Sequence, residues 1–244
     1  MSRSIVVLTA GISQPSSTRL LADQLAEAAS VAVSARGESL DVDVIELREL
    51  ASDLATTVTT GVPTRSVMQA RERISDADGV IVVTPVFAAS YSGLFKMFID
   101  VLDPEALNGM PVLIGATAGT PRHSLVLDHA LRPLFSYLRA VVVTTGVFAA
   151  TEDFGDAALT DRIGRATAEF GALVVAEPTG VGGLGPVGPT SRRSDGAVSP
   201  ASPPRRRSDS AETPDPPPRR RSGNALGSVT PFAELLAAHN GQPR

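Results

Sequence analysis

Residues 79–100 read GVIVVTPVFAASYSGLFKMFID, and the architecture expected of the whole chain follows from them. Gly79 to Val83 is a continuous apolar run rich in β-branched residues. Too short for a typical helix, it reads as a strand buried on both faces of a parallel sheet. Pro85 has no N–H to give to a sheet ladder, so the strand is expected to stop there. A loop of small residues follows, in which Ser90 or Ser92 is placed to cap a helix beginning near Gly93. Along that helix Leu94, Phe95, Phe98, Val101 and Leu102 fall at helical spacing, with Lys96 and Asp100 one turn apart. A loop at the carboxyl end of a central parallel strand is where open α/β sheets bind ligands.

The same pattern repeats outward. Strands are expected over 5–8, 42–47, 110–115 and 141–148, with helices over 18–35, 65–75, 124–138 and 157–175. The stretch from Arg48 through Pro63 reads as a surface loop. Five strands alternating with helices imply right-handed crossovers and an α/β doubly wound parallel sheet. The strand order 2-1-3-4-5, the flavodoxin-like arrangement, is taken from fold analogy.

Composition narrows the chemistry. The 244 residues contain no cysteine, which removes disulfides, thiolate metal sites and cysteine nucleophiles. The three histidines form no metal-ligand motif, so no metal site is expected. A net charge of −4 argues against nucleic acid as the main partner of the folded part. No apolar run approaches the roughly 20 residues of a membrane helix, and the amino terminus does not read as a signal peptide. A soluble, cytoplasmic protein without a membrane partner is expected.

The character changes at Pro178. Residues 1–178 read as one domain. Residues 179–227 are Gly, Pro, Ser and Arg, with basic clusters at 192–193, 205–207 and 219–221. Too little apolar area is available there to offset the entropy of ordering, so this insertion reads as disordered. The clusters either keep a linker solvated or tether an acidic partner or nucleic acid. In residues 228–244 an amphipathic pattern resumes around Val229, Phe232, Leu235 and Leu236, with Pro231 near the first turn; a short helix docking on the domain is expected.

Thr84, Pro85, Val86 and Phe87, then Ser90-Tyr91-Ser92-Gly93 and Phe95-Lys96, resemble the flavin loop of the NAD(P)H-dependent FMN reductases, a flavodoxin-like family. Phe87 stands where members most often carry Tyr, which keeps a flat face but loses a hydroxyl. The resemblance runs over about residues 3–177 and the last dozen or so. It is closer still to an actinobacterial branch whose members supply reduced flavin to a luciferase-like monooxygenase. The resemblance implies FMN with NADPH or NADH, a separate flavin-dependent monooxygenase as partner, and a homo-oligomer.

Three loops are expected to open on one edge of the sheet. In the first, Ser13, Gln14, Pro15, Ser16, Ser17, Thr18 and Arg19 join a hydroxyl-rich turn to a helix amino terminus. Backbone N–H groups, the helix dipole, hydroxyls and a guanidinium together suit a phosphate; the plainer reading is helix capping by Ser16 or Ser17. The resemblance implies that Ser13, Ser16, Ser17, Thr18 and Arg19 hold the FMN phosphate. In the second loop Pro85, Val86, Phe87 and Ala88 would lie along the flavin ring and ribityl chain. In the third, Thr117, Ala118, Gly119 and Thr120 suit backbone contact with the pyrimidine end, or form a plain connector. Arg122 either pairs with a nicotinamide-nucleotide phosphate or faces solvent, and His123 reads as a capping or surface residue. Hydride transfer to flavin needs no protein acid or nucleophile, so no catalytic side chain is nominated. A flavodoxin-type electron carrier is the competing reading. The absence of Trp, the presence of only Tyr91 and Tyr137, and the mild charge favour the reductase. A quinone or azo reductase using the same hydride chemistry is not separable from it.

Overall fold

The computed structural model describes residues 2–176. The expected disordered insertion over 179–227 and the terminal helix over 228–244 lie outside the described residues.

Among the described residues, seven strand segments form one sheet: β1 (Ser2–Thr9), β2 (Ser39–Glu46), β3 (Gly79–Phe87), β4 (Ser90–Tyr91), β5 (Pro111–Ala118), β6 (Val141–Val142) and β7 (Val147–Ala150). The α-helices are α1 (Ser17–Ser34), α2 (Ala51–Thr60), α3 (Arg65–Ser75), α4 (Gly93–Asp100), α5 (Arg132–Tyr137) and α6 (Ala157–Val175). The parallel path runs β2-β1-β3-β5-β6, with β7 also on β5 and the short β4 antiparallel to β3. This is the expected doubly wound order. Its labels shift because a two-residue hairpin arm follows β3 and the fifth strand is broken in two.

Side chains that alternate along each strand supply two cores. Val6, Leu8, Val80, Val82, Val112 and Ile114 pack with Leu54, Val67, Ile74, Phe95, Phe98 and Phe135, under α2 to α5. Ile5, Val7, Ile81, Val83 and Leu113 pack with Leu21, Leu25, Ile163 and Phe170, under α1 and α6. Gly79 admits α6 to the sheet, since a Cβ there would lie 2.8 Å from both Phe170 and Val174.

Four local expectations are corrected. First, β3 does not stop at Pro85; it runs to Phe87, with Pro85 in register with Thr117 of β5. Val83 O accepts from Ala10 N at 2.9 Å, so Val83 and Pro85 present their polar groups toward β1, which has ended at Thr9. The missing N–H of Pro85 therefore falls past the last β1–β3 pair, Thr9 with Val83.

Second, the stretch after Leu47 is not a loop but a short 3₁₀ turn, Leu47–Leu50, followed by α2. Its β-branched Thr57, Val58, Thr59 and Thr60 are poor helix formers, which hid the element. Leu54 and Thr57 are buried, the Thr56, Thr57, Thr59 and Thr60 hydroxyls bond back to carbonyls one turn earlier, and Gly61 ends the helix at φ 71°.

Third, the expected 124–138 helix contains a π turn over Leu127–Leu131, where Arg132 N donates to Leu127 O. Pro133 has no N–H to continue the α-pattern, and the wider turn absorbs the loss. Fourth, the fifth strand breaks between Val142 and Val147 because side chains take its backbone groups. Arg132 donates to Val143 O (3.0 Å) and Thr144 O (2.9 Å), and Glu169 of α6 accepts from Thr145 N (2.9 Å) and Thr145 Oγ1 (2.6 Å).

Candidate functional site

The turn from β1 into α1 is compact because Gly11 leaves room for it. A Cβ on Gly11 would stand 2.1 Å from Ser16 Oγ. Ser16 caps α1, its hydroxyl accepting from Arg19 N at 3.2 Å. Two residues on, Thr18 is buried and its Oγ1 lies 2.8 Å from Oγ1 of Thr117, at the end of β5. That bond ties the first loop to the third.

The second loop is a two-residue hairpin between β3 and β4, pairing Val86 with Tyr91 and Phe87 with Ser90. Its central residues, Ala88 (φ 48°) and Ala89 (φ 64°), both sit in the left-handed region, where such turns favour Asn-Gly. Each non-glycine residue held there costs on the order of 1 kcal/mol. The hairpin is anchored below: Thr84 Oγ1 accepts from Ser92 N at 3.0 Å, and Ser92 Oγ accepts from Phe95 N at 3.2 Å, capping α4. The paired Lys96 and Asp100 side chains complete that helix's outer face.

Together these turns enclose a cleft of about 430 Å³. Ser13, Ser16, Ser17 and Thr18 line one end, Pro85, Val86 and Phe87 the flank, and Thr117, Ala118 and Gly119 the other wall. All the expected site residues meet there except Arg19, Ala88 and Thr120. Ala88 sits in the hairpin turn and Thr120 beyond the end of β5. Arg19 turns aside: its Nε donates to Asp23 Oδ1 at 2.8 Å and its Nη1 to Glu46. Its pKa is raised, chiefly by the Asp23 hydrogen bond, with burial opposing. No Lys, Arg or His lines the cleft among the described residues. Arg122 and His123 are both exposed in the turn Pro121–His123.

Sequence reasoning missed Ile12 and Thr151, which complete the lining, and Gly11 beneath it. Thr151 directly follows β7, so its place at this edge was available from topology. Gly11 carries no signal short of the packing itself. A larger groove of about 600 Å³ lies between α1 and α6. It touches none of the three loops; the edge cleft is the candidate because hydroxyls and a helix amino terminus converge there.

The chain matches the family model described as NADPH-dependent FMN reductase over residues 3–155. It belongs to that family. FMN reductase (NADPH) of Pseudomonas aeruginosa is 39% identical over 152 residues, covering 62% of this chain and 78% of that protein. NADH-dependent FMN reductase SfnE of Pseudomonas putida is 38% identical over 177 residues, covering 69% and 92%. Among solved structures, an oxidoreductase from Corynebacterium diphtheriae is similar at 58% identity and a TM-score of 0.71, covering 72% of this chain and 98% of that one.

The cleft suits FMN by its donor chemistry. Three serine hydroxyls and the amino end of an 18-residue helix stand at one end, the arrangement that suits a phosphate. A flat, half-exposed Phe87 and small residues border the rest. The cleft volume falls within the roughly 300–1,000 Å³ usual for small-molecule sites.

Proposed function

We propose that this FMN reductase binds FMN in the edge cleft and passes it a hydride from NADPH or NADH. The observation that carries the reading is one arrangement: a hydroxyl-rich helix start and a flat apolar hairpin on one sheet edge, tied by the buried Thr18–Thr117 bond. Bound FMN supplies the two-electron acceptor, and no protein acid or nucleophile is required.

The residues of the chain bind and orient. Ser13, Ser16 and Ser17 with the α1 amino terminus hold the phosphate, and Pro85, Val86 and Phe87 seat the ring. Ala118 and Gly119 let the pyrimidine edge approach backbone. Phe87, 49% exposed, stands beside the ring site, and a nicotinamide stacks on the open side of the flavin. The relatives are named for both donors at nearly equal identity, so the donor is a matter for assay. We further propose that the product FMNH2 serves a separate flavin-dependent monooxygenase, that the protein acts as a homo-oligomer in the cytoplasm, and that residues 1–178 form the reductase domain.

The test is steady-state oxidation of NADPH and NADH, with and without added FMN. Rapid FMN-dependent turnover supports the reductase and the ratio of rates gives the donor. Tight flavin binding with no turnover from either donor would favour an electron carrier. A protein with neither property would refute the assignment of the cleft.

A further inference from the structure

Glu46 ends β2 beside the amino terminus of α1, and its two carboxylate oxygens are divided between two arginines. Oε1 accepts from Arg19 Nη1, and Oε2 accepts from Arg48 Nε at 2.6 Å. Arg48 also reaches the phosphate-loop residue Gln14, whose amide oxygen accepts from both terminal guanidinium nitrogens once the amide is turned to face them. Two arginines thus stand against the first loop with their charge balanced by Asp23 and Glu46, and neither lines the cleft. The Asp23 carboxylate is 51% exposed and Glu46 only 19%. Asp23 and Glu46 therefore hold the Arg19 guanidinium together, and solvent screens the more exposed Asp23 pair more strongly.

We propose that Glu46 is a positioning residue that sets affinity for the flavin phosphate, by keeping Arg19 out of the cleft and cancelling the positive charge beside it. This rests on the reading of the first loop as the phosphate end of the site. A phosphate held there meets hydroxyls and helix N–H groups without a guanidinium. Without a guanidinium the phosphate has no cationic, bidentate partner, and this keeps the flavin exchangeable. Removing the Glu46 charge leaves a net positive charge at the loop and leaves Arg19, three residues beyond the Ser16 cap, held only by the solvent-screened Asp23 pair, from which it can turn toward the phosphate.

The experiment measures dissociation constants of FMN and riboflavin, by flavin fluorescence, for the full chain and three variants. Glu46→Gln is expected to bind FMN about fivefold tighter, within the range of one added charged hydrogen bond discounted for solvent, with riboflavin unchanged. Added salt should shrink the gain. Arg19→Ala in the Glu46→Gln background should return FMN affinity to that of the unsubstituted protein, which a merely structural role for Glu46 would not produce. An unchanged preference for FMN over riboflavin in Glu46→Gln, or equal weakening of both flavins, overturns the proposal. A Ser13→Ala/Ser17→Ala variant separates the two levels. If it loses the preference while Glu46→Gln shows no gain, only the role of Glu46 falls. If it keeps the preference, the phosphate is not in this loop and both readings fall.

Discussion

Thr18 and Thr117 each have a relative exposure of 2%, and their hydroxyls are 2.8 Å apart. Replacing either by Val keeps the shape but leaves the other hydroxyl buried without its partner. That costs about 1–3 kcal/mol, more than the net worth of the bond itself. Replacing both removes the two hydroxyls together and is expected to be nearly neutral. With about 2 kcal/mol for each single variant and roughly zero for the pair, the coupling is on the order of 4 kcal/mol, well outside the few tenths of additive sites. In a domain of this size about 2 kcal/mol lowers Tm by roughly 4–8 °C.

Urea denaturation of the four members of the cycle measures this directly, with FMN affinity taken in parallel. Each single variant should also bind FMN more weakly, since the bond fixes the first loop against the third. Thr9 supplies the contrast: it is 2% exposed, and its Oγ1 has no partner among the described residues. Thr9→Val should therefore be neutral or stabilising. Additive losses in the Thr18/Thr117 cycle, or single variants as stable as the unsubstituted protein, would refute the view that this bond joins the two walls of the cleft.

Three further outcomes are expected. Ala89→Gly should stabilise the fold by about 0.5–1 kcal/mol in a thermal melt, by relieving the left-handed residue at φ 64°; a loss would show that the methyl group makes contacts worth more than the strain. Gly11→Ala should weaken FMN binding and lower stability by more than about 1 kcal/mol, because its Cβ would overlap Ser16 Oγ at 2.1 Å and dislodge the α1 cap; an unchanged melt would mean that the turn yields freely. Glu169 has its pKa lowered from 4.5, chiefly by the Thr145 hydroxyl bond, so its contribution is present above that value and lost as pH falls through the depressed one. The gap in stability between the unsubstituted protein and Glu169→Gln should be about 1–2 kcal/mol at neutral pH and close as pH falls below the ordinary glutamate range through the depressed value; a gap that persists in strong acid would remove the carboxylate from the account.

What was legible in the sequence depended on whether a residue's role was local. The helices over 65–75 and 157–175 were readable to the residue, because Thr64 and Asp156 cap them and their apolar faces repeat at helical spacing. Periodicity found the strands and helices, fold analogy put the three loops on one edge, and the hydroxyl run at 13–18 carried its chemistry openly. Pro85 misled because a proline breaks a ladder only where a neighbour needs its N–H, and the end of β1 at Thr9 decides that from far along the chain. Threonines concealed α2, since their propensity counts against a helix that burial of Leu54 and Thr57 sustains. Arg19 shows the sharper limit. Its type and position suit a phosphate, yet where its charge goes is set by Asp23 one turn ahead and by Glu46 on another strand. An i,i+4 partner can be read from spacing, but a partner 27 residues away enters only when the sheet sets β2 beside β1. Charge near a site is therefore a property of the fold, and a motif that supplies an arginine also requires the tertiary structure to leave that arginine free.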